Sequence, residues 1–143
     1  MAFAASLAQR LASKGPLVLS LEGDLGAGKT TFVRHLLRAL GVTGRIKSPT
    51  YAVLEPHQLP DGGTVAHFDF YRFSDPREWV DAGFRDVFAK PGLKITEWPE
   101  LAGGLLPVPD LRLAIEPLDG DFRHVIATAH TPAGVDLLVS VLG

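Results

Sequence analysis

Gly23-Asp24-Leu25-Gly26-Ala27-Gly28-Lys29-Thr30 carries the residues whose types and spacing most directly specify chemistry. Gly, four residues, then Gly-Lys-Thr is the pattern of a phosphate-binding loop. Glycines let the backbone curl and aim successive N–H groups at phosphate oxygens. A helix starting at the loop adds the positive end of its dipole. In such a loop Lys29 supplies a mobile charge for the β- and γ-phosphates, and the Thr30 hydroxyl is a Mg²⁺ ligand. The competing reading is a chance Gly-rich turn. The flanks argue against it: Pro16–Glu22 is an apolar run of buried-strand length and Thr30–Leu40 is helix-like, the context the pattern requires.

A phosphate loop alone does not make an enzyme. Mg²⁺ needs oxygen ligands near the β- and γ-phosphates, and in a parallel sheet these come from carboxyl ends of strands. Two acids have that placement in the sequence. Asp69 falls late in the apolar run Val65–Phe70, and Glu97 ends the run Leu93–Trp98. Each also has a bland reading as a solvated strand-end acid or the partner of a nearby Arg. Lys47-Ser48-Pro49-Thr50-Tyr51 offers two hydroxyls after the loop-following helix. Taken alone it reads as an ordinary Ser-Pro turn or as a segment that senses the γ-phosphate. The sequence contains no Asn, so the Asn-Lys-x-Asp reader of guanine is absent and ATP is the default nucleotide.

These groups need a frame. Leu17–Leu21, Tyr51–Leu54, Thr64–Phe70, Gly92–Trp98, Leu111–Pro117 and Phe122–Ala129 are predicted strands. Pro60-Asp61-Gly62-Gly63 and Leu118-Asp119-Gly120-Asp121 carry turn chemistry that makes hairpins of their flanking strands. The helix Thr30–Leu40 should bury Phe32, Val33, Leu36, Leu37 and Leu40, expose Arg34 and Arg38, and stop at Gly41. Asp75, Pro76 and Glu78 open a further predicted helix ending near Gly83, and Thr131 caps one over 132–142. Phe3–Ser13 has helical spacing and reads as a packing helix over a sheet edge. The expectation is a single domain over residues 1–143.

The 143 residues are 46% hydrophobic and 21% charged, ordinary values for a soluble domain. The net charge of −2 argues against nucleic-acid binding by bulk electrostatics. There is no cysteine, hence no disulfide frame, and His35, His57, His67, His124 and His130 lack metal-ligand spacing. No run reaches membrane-spanning length, and Met1–Arg10 lacks the form of a secretory signal. A cytoplasmic enzyme is the expectation, with no membrane or DNA partner.

Four ordered segments, GDLGAGKTT (Gly23–Thr31), KSPTY (Lys47–Tyr51), HFDFYR (His67–Arg72) and EWPE (Glu97–Glu100), together resemble the TsaE (formerly YjeE) family of bacterial P-loop ATPases. The resemblance runs from about Leu17 to about Pro109, with looser agreement in the C-terminal strands. It implies a three-layer α/β P-loop NTPase fold: a central mixed sheet, helices on both faces and an antiparallel C-terminal strand pair. It also implies a role in tRNA N6-threonylcarbamoyladenosine (t6A37) synthesis beside two partner proteins, TsaD and TsaB. In that role ATP hydrolysis to ADP resets the machinery, the threonylcarbamoyl transfer is made by the partners, and tRNA is met only through the complex.

Carried over by the resemblance, Gly23, Gly26, Ala27, Gly28, Lys29, Thr30 and Thr31 form the phosphate cradle, with Lys29 on the β/γ-phosphates. Thr30 and Glu97 are the Mg²⁺ ligands. Asp69 is the acid at the γ-phosphate that orients the attacking water or a metal-bound water. Ser48 and Thr50 join the nucleotide-sensing segment. Tyr71, Arg72 and Trp98 support the site or the partner face. Family members carry a longer polar lead-in before the first helix, so no adenine contact is assigned from that region.

With no arginine finger evident, hydrolysis is expected to be slow alone and stimulated by partners; Arg72 is a finger in cis or an ion-pair partner. Two other functions fit the loop: a nucleotide-dependent switch that hydrolyses nothing useful, and a small-molecule kinase. For a kinase, little chain is left to build an acceptor pocket and lid.

Overall fold

The computed structural model describes residues 7, 17–24, 28–46, 54–60, 62–71, 83–102, 106–117 and 123–142. Six strands form one sheet in the order β2-β3-β4-β1-β5-β6. The central four, β1 (Leu17–Glu22), β3 (Thr64–Asp69), β4 (Leu93–Glu97) and β5 (Leu111–Pro117), run parallel. β2 (Leu54–Gln58) pairs antiparallel with β3, and β6 (Arg123–Ala129) antiparallel with β5. The fold is therefore the expected mixed α/β sheet with an antiparallel pair at its C-terminal edge.

Every residue of β4 is buried, as befits an inner strand covered on both faces. Alternation along the strands sends Leu17, Leu19, Leu21, Leu93, Ile95, Leu111, Leu113 and Ile115 into one core, with Val65. Helix α1 (Lys29–Ala39) packs into that core through Phe32, Val33, Leu36 and Leu37, while Arg34 and Arg38 are exposed. Leu7, helical and fully buried, joins it, as does Leu137 of α3 (Pro132–Leu142). The rest of the predicted helix over 3–13 lies outside the described residues.

The opposite face of β3 builds a second core. Phe68 stacks on Phe70 and Phe88 at 5.6 and 4.8 Å between ring centres, and meets Phe84 edge-on at 5.3 Å. Phe84 and Phe88 come from α2 (Phe84–Ala89), so helices cover both faces. This six-residue helix is not among the predicted elements. It is too short to hold on propensity and rests on its two aromatic anchors. The predicted helix opening at Asp75 lies outside the described residues, apart from its end at Gly83.

α1 stops where expected. Gly41 takes φ 103°, its N–H reaches the Arg38 carbonyl at 3.1 Å, and the Val42 N–H reaches the Leu37 carbonyl at 3.0 Å. This is the paired bonding of a left-handed glycine stop. β2 is described over Leu54–Gln58 and runs through Pro56; of the predicted Tyr51–Leu54 strand, residues 51–53 lie outside the described residues. Proline lacks a ladder N–H, and only an edge strand such as β2 accepts it. The Leu59–Gly63 turn closes the hairpin by bonds of 2.9 and 3.0 Å.

Asp110 ties the C-terminal half to the sheet. Its carboxylate accepts from the Val18 N–H (2.8 Å) and the Thr131 hydroxyl (2.7 Å), and its carbonyl accepts from the His130 N–H (3.0 Å). Thr131 in turn caps α3, accepting from the Gly134 N–H at 3.1 Å. A Cβ on Gly134 would lie 1.8 Å from the Asp110 carbonyl oxygen, so glycine is required for that approach.

Candidate nucleotide site

β1 delivers the glycine-rich segment to the carboxyl ends of the parallel strands, the pole where open α/β sheets bind ligands. Gly28 sits at φ 103°, ψ 15°, a left-handed turn into α1 that suits glycine. Among the described residues no side chain caps α1, and its first N–H groups face the loop side. Gly23, Asp24 and Gly28 are described; Leu25, Gly26 and Ala27 lie outside the described residues, as do Ser48, Thr50 and Arg72.

Lys29 opens α1 and is buried. Its ammonium donates to the Gly23 carbonyl at 2.6 Å and lies 3.7 Å from the centre of the Trp98 ring. Burial lowers its pKa, opposed by the charges of Glu97, Asp69, Glu100 and Asp24. Thr30 is half-buried in the first turn, and Thr31 is exposed.

The two strand-end acids meet this lysine's field from β3 and β4. Register puts Asp69 opposite Glu97, and Glu97 opposite Leu21 at the end of β1. The Phe70 N–H donates to the Glu97 carbonyl at 3.0 Å, so the two strand ends are locked together. Asp69 is half-buried and its Oδ1 accepts from the Tyr71 N–H at 2.9 Å. Burial raises the Asp69 pKa, and Glu97 pushes the same way; the Tyr71 N–H, His67 and Lys29 oppose it. A carboxyl so raised is a better base than an exposed aspartate.

Glu97 is 3% exposed, and its Oε2 accepts from His67 Nε2 at 2.5 Å. Because a carboxylate only accepts, the His67 proton sits on Nε2. His67 is itself 1% exposed. It precedes Asp69 by two on β3, so alternation puts both on the α1 face of the sheet. His57 on β2 is buried beside it, and its pKa is lowered by burial and then by His67, against Glu55.

Trp98 follows β4 with φ 54°, the only non-glycine with positive φ among the described residues. Such a conformation is uncommon for an aromatic residue and is held by its surroundings. Here Tyr71 packs on its ring at 5.1 Å and Lys29 covers its face. A cleft between the end of α1 and β2, lined by Arg45, Glu55 and His57, lies at the other pole of the sheet. It contains none of the loop or strand-end acids.

The structure thus brings Gly23, Gly28, Lys29, Thr30, Asp69 and Glu97 to one pole, with Tyr71 and Trp98 beside them. His67, Asp24 and Glu100 are additional participants. For His67 the available signal is its position two residues before Asp69 on one strand face.

Comparison with known proteins places the chain in a family. The family model "Threonylcarbamoyl adenosine biosynthesis protein TsaE" matches residues 1–125. The tRNA threonylcarbamoyladenosine biosynthesis protein TsaE of Haemophilus influenzae is 37% identical over 134 residues, covering 94% of this chain and 84% of that protein. The Streptomyces coelicolor protein of the same name is 38% identical over 138 residues, covering 93% of each. The crystal structure of Bacillus subtilis YdiB superposes with a TM-score of 0.76 at 30% identity, covering 98% of this chain and 86% of that one. Matched over most of its length by these relatives, the chain belongs to the TsaE family of threonylcarbamoyl adenosine biosynthesis proteins.

Proposed function

We propose that the protein binds and slowly hydrolyses ATP in a Mg²⁺-dependent reaction, as a cytoplasmic subunit that sustains t6A37 modification of tRNA beside TsaD and TsaB. The observation that carries this reading is the convergence of Lys29, Asp69 and Glu97 at the adjoining ends of β1, β3 and β4, next to the uncapped start of α1.

The donor chemistry fits the metal. Thr30 and Glu97 offer oxygen donors, which a hard cation such as Mg²⁺ prefers. No cluster of three or more His, Cys, Asp or Glu side chains forms a cage among the described residues. Mg²⁺ is commonly held by one or two protein oxygens together with substrate phosphates, so none is needed. When bound it would neutralise charge on the β- and γ-phosphate oxygens.

The chain's own residues do the rest. The Gly28 turn and first amides of α1 receive phosphate oxygens. Lys29 exchanges the Gly23 carbonyl and the Trp98 ring for the β- and γ-phosphates. Asp69, made more basic by burial, orients the attacking water and accepts its proton. Transfer of the threonylcarbamoyl group is left to the partners. Titration calorimetry of ATP with wild type and Lys29→Ala tests the site: the variant should lose productive binding, and unchanged affinity would refute the assignment.

A further inference from the structure

We infer that His67 is a positioning residue for Glu97, gripping the carboxylate by Oε2 so that Oε1 is presented to the divalent cation of the nucleotide site. The inference rests on the nucleotide reading above and adds a residue to it.

Three observations carry it. First, Glu97 is buried at 3% exposure, and a buried carboxylate needs a partner to stay in place. Among the described residues the partner hydrogen-bonded to its side chain is His67, and the bond engages one oxygen only. Second, His67 is fixed by register and burial. It lies opposite Ile95, two positions before the Asp69–Glu97 pair, on the face that carries both acids.

Third, the imidazole is a poor choice for packing alone. Among the described residues its buried Nδ1 has no hydrogen-bond partner, a desolvation cost that leucine or phenylalanine would not carry at this core-facing position. His57 on β2 likewise buries an Nε2 with no hydrogen-bond partner among the described residues. Sites that bind metals through histidine commonly use an outer carboxylate to orient the ring. Here the order is inverted: the oxygen donor faces the site, as a hard cation requires, and the imidazole stands behind it.

The test separates metal affinity from nucleotide affinity in the full-length protein. ATP binding is measured by calorimetry in EDTA, and Mn²⁺ binding to the ATP-loaded protein by electron paramagnetic resonance. His67→Leu should weaken Mn²⁺ roughly 10–100-fold, the usual effect of removing such support, with ATP affinity in EDTA unchanged. His67→Gln, whose amide N–H reaches where Nε2–H does, should restore Mn²⁺ affinity to within about threefold of wild type, and His67→Asn, too short, should not.

Equal losses of metal-free ATP binding and Mn²⁺ binding would assign His67 to packing and overturn the proposal. So would unchanged Mn²⁺ binding in His67→Leu, or a Gln variant no better than Asn. If His67→Leu does not fold, the Gln–Asn contrast decides. Should wild type bind no ATP, the nucleotide reading itself fails; should wild type bind Mn²⁺-ATP while the variants match it, only the role of His67 falls.

Discussion

The Lys29 ammonium lies 3.7 Å from the centre of the Trp98 indole and 2.6 Å from the Gly23 carbonyl oxygen. The loop lysine is thus held by its own loop and by the residue after β4. A cation over an indole is stabilised by about 0.5–2 kcal/mol, more as water is excluded. Phosphate oxygens offer a stronger, charge-assisted alternative.

Nucleotide binding should therefore draw Lys29 from the ring and alter the emission of Trp98. In a Trp79→Phe background, which leaves Trp98 as the sole tryptophan, ATP should produce a saturable fluorescence change. Adding Lys29→Ala should shift the resting emission and weaken the ATP response by roughly tenfold or more, the scale of a lost charged hydrogen bond. An unchanged titration curve in the Lys29 variant would break this link.

Asp69→Asn should separate stability from activity. Burial raises the Asp69 pKa, so the folded state penalises the charged form. The penalty applies above the folded pKa and disappears as pH falls through it towards the unfolded value of 3.8. Without nucleotide, the Asn variant should melt a few degrees higher than wild type at pH 7, and the gap should close on acidification. Hydrolysis should fall roughly 10²–10⁴-fold. Thermal melts across pH check the first part and phosphate release the second.

Glu97→Ala should raise the Mg²⁺ concentration needed for half-maximal hydrolysis while leaving ATP binding in EDTA largely intact. It also strips His67 of its hydrogen-bond partner at Nε2. A stability loss of about 1–3 kcal/mol should follow, the cost of an orphaned buried polar group. Magnesium titrations of hydrolysis and urea denaturation measure the two effects on one protein.

Gly134→Ala tests the fold away from the site. The added Cβ would collide with the Asp110 carbonyl at 1.8 Å, and backbone cannot yield as a flexible side chain can. Destabilisation of about 1–3 kcal/mol or more is expected in urea denaturation. The Mg²⁺ dependence of the folded fraction should be that of wild type.

The parallel core and its two acids can be read from residue order because inner strands appear as apolar runs between turn residues. Asp69 and Glu97 stand out as the acids that close such runs. Other features depend on contacts that periodicity does not encode. Pro56 reads as a breaker until β2 is known to be an edge. α2 has too few residues to show a helical period and exists through Phe84 and Phe88 on Phe68. Spacing among the histidines points to no metal site, and it is silent on His67, whose importance comes from a neighbouring strand. Strand order likewise emerges only from pairing.

Phosphate release from Mg-ATP by the pure protein, alone and with a purified TsaD–TsaB complex, tests the proposed function most directly. Slow release alone and strong stimulation by the complex are expected, with catalytic help such as an arginine supplied at the interface, which raises comparable rates by roughly 10³–10⁵. No stimulation while ATP remains bound would contradict the ATPase role and make the protein a nucleotide-dependent switch.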